Sequence, residues 1–168
     1  MKKDEEAGAF GFIGCKSEGE VRAQDIMAAF TAAGYRSQPV KAEIVFGRAH
    51  LVSACLHAER ALRRGTSASE DIMTEIALYL GCSSQLSRAL SLVKIDSEKE
   101  LVVITTPSAG EKDVSKVLKS LGLRREDSLI ELTKSKAAGA GVLGIDSADV
   151  DVVREAVLEK VAFVDMER

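Results

Sequence analysis

Hydrophobic and polar residues follow two periods along the chain, and the switches between them mark out the elements. Ala9 to Cys15 (AFGFIGC) is a short apolar run, the pattern of a strand. Ser17 with Glu20 three residues later forms a capping-box pattern, and Val21, Ile26, Met27 and Phe30 then recur at helical spacing until Gly34. After Pro39, Val40 to Phe46 partly alternates apolar and charged residues, as a half-buried strand does, and Gly47 closes it. Arg48 to Arg64 predicts a helix ending at Gly65, and Asp71 to Leu80 a second ending at Gly81. A third, capped by Ser83 or Ser84, runs to about Val93. Leu101 to Thr106 is a β-branched strand stopped by Pro107. Ser108 with Glu111 repeats the capping-box pattern and opens a helix through Val114, Val117, Leu118 and Leu121 to Gly122. Leu129 to Leu132 reads as a further strand and Ser135 to Gly144, rich in Gly and Ala, as a loop. Ser147 caps a last helix through Val150, Val153, Val157 and Leu158, after which Val161 to Val164 returns to extended character.

Strands and helices alternate at both ends, while three helices run consecutively through the middle. Pro occurs twice in 168 residues and no internal repeat is visible, so no linker divides the chain. The expectation is an α/β (α+β) fold in a single domain over residues 1–168. A small mixed sheet packs with helices, and a three-helix segment is inserted between strands 2 and 3. The length suits one domain that buries roughly two-thirds of its unfolded surface without metal or disulfide support. With 46% apolar and 29% charged residues, collagen, pure coiled coil and disorder drop out. No apolar run approaches the ~20 residues of a membrane span. The opening MKKDEEAGAF has acids where an export signal needs apolar residues, so a cytoplasmic protein is expected. Cys15, Cys55 and Cys82, an odd number without a C-x-x-C pair, suit reduced thiols.

Charge is uneven. The formal net charge is −3, yet Arg36 to Arg64 holds six cations against two anions, and Asp146 to Arg168 seven anions against three cations. One stretch could meet an anion and the other a different partner. On the Arg48 to Arg64 helix, His50, Ser53, His57, Arg60 and Arg64 fall on one side, a stripe suited to phosphate or sugar contacts or to an ordinary solvated face. His50 and His57 are about 10 Å apart along a helix, too far to share a metal ion, and no metal site is expected. Ser53 lies within helical reach of both histidines but lacks an orienting third group or a nucleophile elbow, so hydrolysis is not expected. Gly139, Gly141 and Gly144 spell G-x-G-x-x-G, with Asp165 placed 21 residues beyond. Six residues separate those glycines from the preceding strand, however, and Asp146 would repel a phosphate, so no cofactor is expected. Glu75 falls between Leu78 and Tyr79 on its helix. Buried there, it would need a donor such as Arg, His or Gln, and could hold a binding-site arginine in place.

AEIVFGRAHLVSACLHAERALRRG, followed by TEIALYLGCSSQLSRAL, resembles the kinase-binding accessory subunit of the KEOPS complex, the TPRKB-like family, in the compact form of an archaeal member. The pattern is a short strand, a small turn, His on a helix with Ala four later, then E-(I/L)-x-L-Y and a Gln opening the next helix ahead of an Ala. His50, Ala54, Glu75, Ile76, Gln85 and Ala89 match it by position, and VLEKVAFVD resembles the closing helix and tail. The chain departs from the pattern at Cys82 and Ser83, where members often carry Ser-Gly and a basic residue, and at Val93 and Lys94, where Gly is common. The resemblance implies a non-catalytic subunit of the machinery that installs threonylcarbamoyl beside the anticodon of certain tRNAs. It would bind the N-lobe of the complex's small atypical kinase and the single-stranded CCA end of tRNA, and through the kinase would meet the threonylcarbamoyl transferase subunit. The expected RNA-facing residues are His50, His57, Arg60, Gln85 and Arg88, with Glu75 orienting them from behind. The expected kinase-facing row is Val153, Val157, Val161 and Phe163. A regulatory module that binds the kinase but no RNA remains the alternative. With aromatics at 4% and no Trp, RNA recognition would lean on polar contacts rather than stacking platforms.

Overall fold

The computed structural model describes residues 9–168. Residues 1–8, which hold most of the segment read above for the lack of an export signal, lie outside the described residues. The elements run in the order β1 (Gly11–Ser17), α1 (Ala23–Ala32), β2 (Arg36–Lys41), α2 (Arg48–Arg64), α3 (Ile72–Leu80), α4 (Leu86–Val93), β3 (Glu100–Thr106), α5 (Glu111–Leu121), β4 (Leu123–Arg125), α6 (Lys134–Ala138) and α7 (Val150–Met166). The fold class is α+β. The chain folds into two compact units, the first from residues up to Ala42 with Lys94–Ile130, the second from Glu43–Val93 with Glu131–Arg168. Each is assembled from two separate stretches of sequence, so no single linker marks the boundary.

The first unit is a four-stranded sheet in the order β2-β3-β1-β4. Every pair is antiparallel, which corrects the expected mixed sheet. The register pairs Phe12 with Ile104 and Val40 with Val102. On one face Ile13, Cys15, Leu101 and Val103 join Ile26 and Phe30 of α1 and Val114, Val117 and Leu118 of α5 in one core. On the other face Phe12, Val40, Val102 and Ile104 are buried as well. Burial on both faces accounts for the unbroken apolar run of β3. The thiols of Cys15 and Cys55 are buried and free. Burial pushes the Cys15 thiol up to about 12, so it behaves as a small apolar residue.

Several boundaries differ from the sequence reading. The strand expected at Val40 to Phe46 ends at Lys41, and Ala42–Ile44 is a turn of 3-10 helix. Pro39 lies inside β2, where an edge strand tolerates a missing N–H. The strand expected at Leu129 to Leu132 is a 3-10 turn over Asp127–Ile130, while the fourth strand, at three residues, is too short to show a period. The expected loop at Ser135 to Gly144 contains α6 and a 3-10 turn over Ala140–Leu143. Val161 to Val164 continues α7, because Val153, Val157, Val161 and Val164 keep helical spacing and are all buried. The caps also move. Arg22 and Gly110 take the N-cap positions of α1 and α5 with no side-chain hydrogen bond. Asp149 rather than Ser147 caps α7, accepting from the N–H groups of Asp151 and Val152 at 3.0 Å each.

The second unit is helical. Gly47, with φ of +101°, turns the chain into α2, and Gly65, with φ of +69°, ends it. The helices α3 and α4 come so close that a Cβ on Gly81 would lie 2.9 Å from the Ala89 Cα. Two small residues are therefore needed at that crossing. Among the described residues no helix is long and apolar enough to cross a membrane.

Gly14 makes the tightest backbone approach of the first unit. A Cβ there would fall 2.1 Å from the Glu126 carbonyl oxygen, whereas one on Gly141 would meet nothing within 4 Å. Gly14→Ala is therefore expected to lower the thermal midpoint by several degrees, a cost of about 1–3 kcal/mol. Gly141→Ala serves as the control, and an unchanged midpoint for Gly14→Ala would contradict the packing described.

Candidate functional site

Within the second unit, α2, α3 and α7 bring together most of the charged and aromatic residues that stand out in the sequence. Helix α2 buries Leu51, Ala54, Cys55, Ala58 and Ala61, which are small residues at helical spacing. Its polar stripe therefore starts inside the protein and emerges only toward the C-terminus. His50 is 1% exposed. The Phe46 N–H donates to its Nδ1 at 3.2 Å, and its Nε2 lies 3.1 Å from the Leu80 carbonyl, which accepts. These partners assign the neutral ring with the proton on Nε2. Burial pushes the His50 pKa down to about 4; the Leu80 hydrogen bond opposes the shift and the charge of Lys136 adds to it. The Lys136 ammonium, in turn, donates to the Val45 carbonyl at 2.9 Å. His50 thus ties the start of α2 to the end of α3, and its expected contact with RNA is corrected to a structural role.

Glu75 is wholly buried. One carboxylate oxygen accepts from the N–H groups of Ala68 and Ser69 at 3.2 and 3.1 Å. The other accepts from the guanidinium of Arg168, the donor that a buried acid requires. Arg168 also donates to the Thr66 carbonyl at 3.3 Å and to the Tyr79 hydroxyl at 3.2 Å, and its guanidinium carbon lies 4.9 Å from the centre of the Tyr79 ring. The Tyr79 hydroxyl donates to Asp165, whose second oxygen is 2.6 Å from Nδ1 of His57. The His57 and Tyr79 rings lie 5.6 Å apart. One connected polar cluster therefore links α2 (His57), the turn after it, α3 (Glu75, Tyr79), the last turn of α7 (Asp165) and Arg168 just beyond it. Burial pushes the Asp165 carboxyl up, but the donors Tyr79 and His57, with the charges of His57 and Arg60, outweigh it and hold the group below the usual carboxylate range. Burial and the bond to Asp165 raise the Tyr79 hydroxyl well above its ordinary value.

Of the residues expected to face RNA, His57, Arg60 and Glu75 are drawn to this cluster, with Glu75 inside it and Arg60 exposed beside it. Gln85, just before α4, and Arg88 on it are exposed, and among the described residues neither is hydrogen-bonded to the cluster. Cys82, just before them, adopts φ of +51°. Tyr79, Asp165 and Arg168 are the members that sequence reasoning missed. Asp165 is singled out there only as the acid following a glycine pattern. Those glycines lie in helical turns rather than after a strand, so that nucleotide-binding context is absent.

The row expected to dock on a kinase is also corrected. Val153, Val157 and Val161 face the core and are no more than 1% exposed. Phe163 is 47% exposed and shares the outer face with Val152 at 51% and Met166 at 76%. Helix α7 is therefore apolar on two faces, one of which the protein's own fold covers. Beside the outer face runs a groove of about 360 Å³, lined by Gly144–Ser147, Val152, Ala156, Glu159, Lys160 and Phe163.

Because His50 is neutral in the fold with its pKa near 4, against about 6.5 in the unfolded chain, its contribution is complete above pH 6.5 and is lost as pH falls toward 4. The difference amounts to roughly 3 kcal/mol at full extent. Unfolding followed from pH 7.5 to 4.5 is expected to show that acid loss. His50→Asn should be less stable at neutral pH and flatter across this window, and an equally steep loss in the variant would contradict the assignment.

Comparison with known proteins adds two findings to this geometry. No curated protein matches the chain. The family described as kinase binding protein CGI-121 matches residues 16–155, most of the chain and all but the last turns of the helical unit. The chain belongs to the CGI-121 family of kinase-binding proteins, the TPRKB-like family.

Proposed function

We propose that the chain is the non-catalytic, kinase-binding accessory subunit of a cytoplasmic KEOPS complex, which installs threonylcarbamoyl on the adenosine next to the anticodon of certain tRNAs. The observation that carries this reading is the outer face of α7. In a family of kinase-binding proteins, Val152, Phe163 and Met166 stand exposed on one side of a helix whose other side is packed. Large apolar side chains gathered on one exposed face mark an interaction surface. The small atypical kinase docks there by its N-lobe, and Phe163 is the anchor, since aromatic anchors carry much of an interface's binding energy.

The RNA part of the proposal places the CCA end of tRNA along the exposed cations and amide of α2 and α4, Arg60, Gln85 and Arg88, with His57 beside them. His50 and Glu75 act from within the fold by fixing the helices that present those side chains. One observation favours the second reading, a kinase-binding regulatory module without RNA contact: His57 is engaged by Asp165, and that carboxylate brings negative charge to the same cluster.

Phe163→Asp is expected to weaken binding of the kinase at least tenfold while leaving the thermal midpoint within a degree or two. Val161→Glu should act differently and unfold the chain, because it forces a charge into the core. Calorimetric titration with the purified kinase, alongside thermal unfolding, separates the two, and full affinity in Phe163→Asp would refute docking on this face. For the RNA part, trimming the terminal CCA from tRNA should abolish measurable binding, and each phosphate neutralised should add roughly 0.7 to the salt slope. Equal affinity for trimmed tRNA would leave the kinase-binding module standing alone.

A further inference from the structure

The outer face of α7 carries more information than its exposure. Val152, Ala156, Glu159, Phe163 and Met166 succeed one another at intervals of four, three, four and three residues. That is the spacing of a heptad seam, and over fourteen residues it makes a straight stripe about 21 Å long. Asp151 and Glu155 flank the stripe on one side, Glu159 lies within it, and all three are exposed. Of the cations on that helix, Arg154 is held by Asp151 at 2.6 Å and Lys160 lines the groove with Glu159. The groove at Gly144–Ser147 runs beside most of the stripe, from Val152 to Phe163.

We infer that the element of the partner seated on α7 is an amphipathic helix whose apolar ridge is flanked by lysines and arginines. This rests on the reading that the kinase docks on α7 and adds what that part of the kinase must look like. The repeat decides between a helix and a strand. Along a helix, same-face residues recur about every 5.4 Å, in step with the stripe, whereas along a strand they recur about every 6.7 Å and fall out of step within three contacts. Charge decides the flank. Glu155 beside the apolar seam and Glu159 within it repel an acidic edge and select a basic one, as charged positions beside a coiled-coil seam select their partners. Glu159, within the seam, fixes the register by requiring a cation opposite.

Two measurements on the full chain and the intact kinase test this. In the first, affinity is measured at 50, 150 and 400 mM salt for the natural chain, for Phe163→Ala, and for the pairs Glu155→Lys with Glu159→Lys and Glu155→Gln with Glu159→Gln. The natural chain should lose affinity several-fold as salt rises, since exposed charges are screened over about 10 Å at 0.1 M. The lysine pair should bind at least tenfold more weakly at 50 mM with a flattened salt dependence, and the glutamine pair should fall between. Phe163→Ala should bind at least tenfold more weakly with the salt dependence retained. If Phe163→Ala weakens binding while the charge variants keep natural affinity and slope, the basic flank is wrong and docking on α7 stands. If Phe163→Ala leaves affinity unchanged, the docking reading itself fails. In the second measurement, photo-crosslinkers at Val152, Glu159 and Met166 should attach to kinase residues spaced about seven apart on one helix. Attachment to alternate residues of a strand would overturn the helical assignment.

Discussion

A carboxylate with no solvent exposure organises the helical unit. Glu75 cannot remain buried and charged unless its lone pairs are met, and the fold meets them with two backbone N–H groups from the turn after α2 and a guanidinium from the end of α7. Three stretches of chain are thereby committed to one place. Removing one member of a buried ion pair leaves an uncompensated charge and costs about 3–5 kcal/mol, more than most single contacts. The pair is therefore weak evidence for added stability but strong evidence for a fixed arrangement. Arg168 continues the network to Tyr79, and Tyr79 to Asp165 and His57, so the last turns of α7 are held by polar contacts while its valines hold the middle by packing.

That constraint determines what α7 can offer. With Val153, Val157, Val161 and Val164 turned inward and the end pinned by Asp165 and Arg168, the opposite side of the helix has one orientation. Val152, Phe163 and Met166 project from it without needing to rearrange. A docking face held in advance avoids the ordering entropy that a loose helix would lose on binding. His50 does comparable work at the other end of the unit, joining α2 to the carbonyl at the end of α3.

Much of this was legible in the chain. The bounds of α2 follow from Gly47 and Gly65, and the need of Glu75 for a donor follows from its place among Leu78, Tyr79 and Ile76. Family membership was carried by His50, Ala54, Glu75, Gln85 and Ala89, and the structure gives physical reasons for several of them: Ala89 opposes Gly81, His50 links two helices, and Glu75 is the hub of a network. The failures have causes too. A helical wheel shows which residues share a side but not how a stripe can pass from core to surface, so it groups the buried His50 with the exposed Arg60. Four valines in a row of helical turns carry both a strand's composition and a helix's spacing, and at Val161 to Val164 the spacing prevails. A helix ended there leaves out Asp165 and the approach to Arg168, and Arg168 is more than ninety residues from Glu75 in sequence.

The claim that α7 presents its outer face to the kinase is tested most directly by amide hydrogen exchange on the chain with and without saturating kinase. The account predicts added protection over Val150–Met166 and the adjoining Gly144–Ser147 segment, with exchange in α1 and α5 unchanged. Added protection on α1, α5 or the exposed edge of β2, with α7 unaffected, would contradict it.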